Sequence, residues 1–303
     1  MEAAWLAFHF SLQLSQSSQG LNCSPWESSA NTLQGCTSES WTNQLTPSKS
    51  AFNLETTLIE NLPKIDSIDS KLFGFNVGLL NSDAKVSMHT LEASLGWMSE
   101  NSCRLISISI APDRLDEISL LQYAGAKAVD LSLTMLLPNL SRRPRNLKKV
   151  EVRLSEKKDK ERVKNIAGSI FEFGRYHRDP EFPNQLANKR FEFFIENAID
   201  CPKEGECVFV AEHAGQVSAF MIVQRFGGAA RWQLGGVAPD ESTAMLGPLF
   251  FSGVADALES KGFKSARAKI SAANTGVLNL YSTMGFIATK PEWVFHLHKR
   301  EIV

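Results

Sequence analysis

Three short apolar runs between Cys207 and Val237 constrain this chain more than any other feature. Cys207–Glu212 reads as a strand, His213–Gln216 turns it, and Val217–Val223 returns as its hairpin partner. Gly227 and Gly228 turn the chain again into a third antiparallel strand over Ala230–Val237. A helix follows over Pro248–Lys261, with proline near its first turn and Gly262 just past its end. The next strand covers Phe263–Ser271. Two consecutive strands joined by a helix pair in parallel, so the meander and this unit together predict a mixed α/β sheet.

The surrounding segments complete the unit. Val150–Leu154 predicts an opening strand, Lys158–Phe173 and Gln185–Asn197 predict helices, and Trp293–His298 a closing strand. A smaller α/β unit precedes it. Its parts are a strand over Phe73–Leu80, a helix over Ser87–Glu100, a strand over Arg104–Ile110, a helix ending at Tyr123 and a strand over Lys127–Leu137. The domain reading is therefore 51–140 for the small unit, 141–149 for a basic, solvated linker, and 150–303 for the larger unit. Residues 1–50 are rich in Ser, Gln, Asn and Thr and read as a disordered tail.

Bulk properties narrow the function classes. A formal net charge of −1 over 303 residues gives no general attraction to nucleic acid or an anionic membrane. No apolar run approaches a membrane span, and the start lacks the basic region of a signal peptide. The five cysteines show no metal-binding spacing, so free thiols in a reducing cytoplasm are expected.

The stretch from Lys269 to Phe286 carries the clearest chemical signal. Asn274 and Tyr281 are seven residues apart and fall on about the same helical face, and Gly285 sits where a helix ends in the left-handed conformation. Tyr281 can be a proton donor at a strand–helix edge. It can equally belong to a core stripe with Val277, Leu280 and Met284. An offset of 160 superposes the small unit on this region, with Gly125 on Gly285, Arg114 on Asn274 and Leu121 on Tyr281. The first unit thus reads as a partial copy that keeps the apolar scaffold and lacks the polar pair.

The meander followed by strand, helix and strand, with Val237 ending the third strand and Asn274, Tyr281, Gly285 and Phe286 after the next, resembles the GCN5-related N-acetyltransferase (GNAT) family over about 148–299. Phe73–Val77, Gly174–Pro180 and Tyr281 are similar to its sugar-nucleotide group, typified by dTDP-fucosamine acetyltransferase, which also has a small domain ahead of the catalytic one. The resemblance implies a GNAT fold preceded by a small partial-GNAT-like α/β domain. It places acetyl-CoA, the cosubstrate, between the strands ending at Val237 and Ser271. Backbone groups of Leu234, Gly236 and Val237 would meet the pantetheine. The loop with Ser242, Met245, Leu246 and Gly247 would meet the pyrophosphate at a helix N-terminus. That loop departs from the family pattern Arg/Gln-x-x-Gly-x-Gly/Ala, of which only Gly247 remains. Tyr281 matches the general acid and Asn274 the cofactor-facing asparagine.

The implied reaction is direct acetyl transfer to the amine of a nucleotide-linked amino sugar. The alternatives are an amino acid, peptide or other small amine as acceptor, or a non-catalytic acyl-CoA-binding module. Arg175, His177 and Asp179 are expected at the substrate; Arg175 and Arg178 either hold a pyrophosphate or are simply solvent-exposed in a charged loop. No general base is obvious: His177, Asp179 and Glu212 are candidates, each with a structural role as the alternative, and a water chain would serve equally. His296 and His298 share a strand face, but with no third ligand in view they read as a partly exposed pair rather than a metal site. The expected partner is a small-molecule amine, with no nucleic acid and no membrane. A homodimer stays open.

Overall fold

The computed structural model describes residues 62–80, 83–145, 150–240 and 245–299. The expected tail and Ser242 lie outside the described residues. Ten strands form one sheet. They are β1 (Lys64–Ile65), β2 (Asn76–Leu80), β3 (Cys103–Ile110), β4 (Lys127–Leu137), β5 (Arg153–Leu154), β6 (Glu206–His213), β7 (Gln216–Phe226), β8 (Ala229–Val237), β9 (Ser265–Ser271) and β10 (Ile287–His298). Their order is β1-β2-β3-β10-β4-β9-β8-β7-β6-β5. The expected mixed sheet is present. β6, β7 and β8 form the antiparallel meander, and β8 and β9 are parallel. No helix among the described residues is long and apolar enough to cross a membrane.

Seven helices are described: α1 (Ser67–Phe73), α2 (Met88–Glu100), α3 (Leu115–Tyr123), α4 (Lys160–Ile170), α5 (Asn184–Asp200), α6 (Leu246–Ser260) and α7 (Thr275–Thr283). The sequence reading missed α1 by running a strand back to Phe73. The signals for the helix are nevertheless present. The Asp66 side chain caps it by accepting from the N–H groups of Ile68 and Asp69, and Gly74 ends it at φ 73°. α6 begins two residues before the expected start, so Leu246 and Gly247 are helical and Pro248 occupies the third position. β10 begins six residues before the expected strand, and Pro291 lies inside it. Proline is tolerated there because pairing with β3 begins only at Trp293, so its missing donor faces no ladder on that side.

The 160-residue offset recurs in three dimensions. α3 and α7 are related by it at both ends, and Gly125 and Gly285 close them at φ 84° and 88°. The pairing Ile287 with Leu136 has the counterpart His296 with Lys127, and Leu133 with Ile270 has the counterpart Trp293 with Ile110. Each relation exchanges the two copies, which is a pseudo-twofold axis between β4 and β10. The last strand of each copy therefore sits inside the other copy. β10 lies between β3 and β4, while β4 lies between β10 and β9. The sheet runs without interruption across the two units that the sequence separates at 141–149.

The core on the α6 and α7 face contains Phe209, Met221, Trp232, Phe250, Phe251 and Tyr281. Val163, Ile166, Ile195 and Phe220 form a second layer under α4 and α5 on the opposite face. α6 approaches the chain so closely at Gly253 that an added Cβ would lie 2.7 Å from the Val150 carbonyl oxygen. Backbone cannot rotate away as a side chain can. Gly253→Ala is expected to destabilise the fold by about 1–3 kcal/mol, read as a lower denaturation midpoint with an unchanged m-value.

Candidate active site

The site begins where two strands part. β8 and β9 are paired from Ala229 with Ser265 to Trp232 with Ala268, and the ladder stops there. Both strands continue, β8 to Val237 and β9 to Ser271. Gln233–Val237 therefore present a backbone edge with no β9 partner. The local cause is an irregularity in the β7–β8 register, where Val223 faces Trp232 but Ile222 faces Leu234. One extra residue, Gln233, bends β8 at that point.

A cavity of about 200 Å³ occupies the opening. Leu234 and Gly235 of β8 line it, as do Ile270 and Ser271 of β9, Asn274 and Tyr281 around α7, and Phe171, Gly174 and Phe191 from the opposite face. The glycines on β8 allow close approach. A Cβ on Gly236 would lie 2.0 Å from Ile170 Cδ1, and one on Gly235 would lie 2.5 Å from Met221 Cε. Ile170 and Met221 reach these points with the ends of flexible side chains, so the cleft can widen by rotamer changes.

Tyr281 lies on the α7 side of the cavity and is 4% exposed. Its ring stacks on Phe286 at 4.7 Å and meets Trp232 and Phe251 edge-on or tilted at 5.8 and 5.9 Å. Burial pushes the phenol well above its ordinary pKa. Asn274 caps α7, with its Oδ1 accepting from Val277 N–H at 3.1 Å. Tyr281 thus belongs to the core stripe and also borders the cavity. Trp232 lines the same cavity, and its buried indole N–H has no hydrogen-bond partner among the described residues.

No family model matches the sequence, and no curated protein matches it. Among solved structures, a conserved protein of unknown function from Staphylococcus epidermidis superposes with a TM-score of 0.55 at 12% identity, over 74% of this chain and 84% of that one. A GCN5-related N-acetyltransferase from Sphaerobacter thermophilus superposes with a TM-score of 0.52 at 14% identity, over 71% of this chain and 68% of that one. The fold is that of the GNAT acetyltransferases.

The N-terminus of α6 is less rich in donors than a regular helix start. Leu246 and Gly247 offer backbone N–H groups, and Pro248 offers none. Leu246 is buried, Met245 is exposed, and a Cβ on Gly247 would meet only Val237 Cγ2 at 3.8 Å.

The residues expected at the substrate are employed elsewhere. Arg175 donates to the fully buried Asp69 at 3.0 Å, as does Arg190 at 2.6 Å. His177 is 2.7 Å from Asn188 Oδ1. Asp179 is buried and meets His296 Nδ1 at 2.6 Å and His298 Nε2 at 2.7 Å. Burial raises the Asp179 pKa, but these two donors outweigh it and hold the carboxyl far below its usual range. Of the expected partly exposed pair, His298 is partly exposed but His296 is fully buried. The third residue beside the two histidines is Asp179, distant in sequence and delivered by the loop between α4 and α5. Arg175, His177 and Asp179 do not line the cavity, and neither does Glu212, which pairs with Arg153 at 2.5 Å.

One polar pair at the cavity was not anticipated. Ser271 lines it and donates to Asp130 Oδ1 at 2.6 Å. Asp130 is 8% exposed, and burial raises its pKa, partly offset by the Ser271 bond. The available signal was a single acid inside the apolar alternation of β4, but its neighbour Ser271 comes from the other copy.

Proposed function

We propose that the chain is an acetyl-CoA-dependent N-acetyltransferase acting on the amine of a nucleotide-linked amino sugar. The observation that carries the acetyl-CoA part of this reading is the parting of β8 and β9 beyond Trp232 and Ala268, with the buried Tyr281 bordering the gap; the acceptor class rests on the sequence resemblance. Acetyl-CoA supplies an activated acetyl thioester. The free β8 edge over Leu234, Gly236 and Val237 receives its amide-bearing arm. Leu246 and Gly247 offer N–H groups to its phosphates from the start of α6.

The chain's residues then have distinct tasks. Tyr281 stays protonated across the working range because burial raises its pKa, so it is always available as a donor to the departing sulfur. An ordinary thiol titrates near ~8.5, below a buried phenol. A thiolate released into the same apolar pocket is raised as well, which narrows the gap. Trp232 N–H is a second buried donor beside the reacting group. Ser271 lines the cavity and donates to Asp130, so Asp130 is positioned to take up the amine proton by relay through the Ser271 hydroxyl or a water. Its raised pKa makes it a better base than an exposed aspartate.

The test is a panel of nucleotide-linked amino sugars set against free amines, amino acids and peptides, read by acetyl-CoA-dependent thiol release. The sugar-nucleotide reading predicts turnover confined to the first class. Turnover with free amines alone would replace it by the small-amine reading. Acetyl-CoA binding with no thiol release across the panel would favour a non-catalytic binding module.

A further inference from the structure

A second concavity, of about 520 Å³, adjoins the cavity and shares Trp232, Gln233, Ala268 and Lys269 with it. Its cationic lining is Lys203, Arg231, Arg267 and Lys269, and no carboxylate lines it. Arg231 and Arg267 form no ion pair among the described residues. Both stack on Phe226, at 5.0 and 4.2 Å from the ring centroid, and Phe226 is itself 51% exposed. A guanidinium held over a ring keeps N–H groups that can donate to a ligand. Lys269 is held by Glu292 at 2.7 Å, a carboxylate it shares with Lys290. The remaining like charges, Lys203, Arg231 and Arg267, repel each other in one trough, and a bound anion relieves that cost.

Strand alternation fixes the face. Trp232, Ala266 and Ala268 join the core with Phe251 and Tyr281, under α6 and α7. Arg231, Arg267 and Lys269 alternate with them and therefore lie on the opposite side of the sheet. The trough is thus separated by the sheet from the start of α6, where the acetyl-CoA phosphates are placed.

We infer that the trough of Lys203, Arg231, Arg267 and Lys269 is an anion subsite that holds the diphosphate of the acceptor. This inference rests on the acetyltransferase reading of the adjoining cavity. It assigns the acceptor's phosphates to β8 and β9, not to Arg175, whose guanidinium is committed to Asp69. An amine carried on a nucleoside diphosphate would lie with its charged part in the trough and its sugar towards Ser271 and Tyr281.

Calorimetry with inorganic pyrophosphate tests the subsite without turnover. Wild-type protein is expected to bind pyrophosphate with an affinity that falls as salt rises. The Arg231→Gln/Arg267→Gln variant should lose at least about tenfold of it, while keeping its wild-type circular dichroism and acetyl-CoA affinity. Lys203→Glu, at an exposed position, provides an independent second loss. In turnover, the double variant should raise KM for a nucleoside-diphosphate amino sugar by about tenfold with kcat little changed. Equal pyrophosphate binding by wild type and variants would overturn the subsite. A parallel loss of acetyl-CoA affinity would instead assign the trough to the donor's phosphates and overturn it too. Failure of wild type to bind pyrophosphate while binding acetyl-CoA sinks only the subsite. Failure to bind acetyl-CoA sinks the acetyltransferase reading on which it rests.

Discussion

Tyr281→Phe is expected to lower kcat by about 10²–10⁴-fold while leaving acetyl-CoA affinity within a few-fold of wild type. The substitution removes one oxygen and keeps the ring. The stack on Phe286 and the contacts with Trp232 and Phe251 survive, so folding and the cavity wall are preserved. The loss falls on the proton that the departing sulfur must gain. The pH profile separates this role from a packing role. Because burial raises the phenol pKa, its protonated form persists through the alkaline range. Wild-type kcat should therefore show no descending limb from Tyr281 up to about pH 10, while Tyr281→Phe should fall more steeply where the thiol no longer protonates itself. Equal turnover in the variant at all pH values would remove the assigned role.

Asp69→Ala is expected to be strongly destabilising, by roughly 3–5 kcal/mol, because it removes a fully buried carboxylate that the half-buried Arg175 and Arg190 and the buried Tyr176 hydroxyl all share. Asp69 is fully buried and accepts from Arg175, Arg190 and the Tyr176 hydroxyl, the last at 2.6 Å. Burial raises its pKa, but Arg190 and Arg175 outweigh burial and leave it lowered. The sign follows from linkage. A carboxylate lowered on folding stabilises the protein above its unfolded pKa of about 3.9. That contribution is lost as pH falls through the lower folded value. Thermal melts should place Asp69→Ala roughly 6–20 °C below wild type at neutral pH, and the difference should shrink in strong acid. The same change should raise KM. Asp69 ties α1 to Arg175 and Tyr176, and the adjoining Phe173 and Gly174 form part of the cavity wall.

What the sequence made legible follows from which interactions are local. The meander over β6, β7 and β8 was readable because each turn lies between the strands it joins. α7 was readable because Asn274 and Gly285 mark its two ends. The exchange of β4 and β10 between the copies was not. Both strands carry the same alternation, and nothing in that alternation says which of two equivalent neighbours each will pair with. Asp130 escaped for the same reason, since its partner Ser271 lies across that exchange. Arg175 and Asp179 looked like substrate ligands because charged residues in a loop are normally solvated. Their partners, Asp69 and the histidines of β10, come from elements far apart in the chain. α1 is different: its Asp66 cap and Gly74 stop were visible and were overridden by the apolar run at Phe73.

Titration of acetyl-CoA into the wild-type protein, followed by calorimetry, tests the central claim most directly. The parted strands predict one saturable site per chain and a negative heat-capacity change from apolar burial, with Tyr281→Phe binding equally well. An absence of binding to folded wild-type protein would contradict the assignment of the β8–β9 cleft as an acetyl-CoA site.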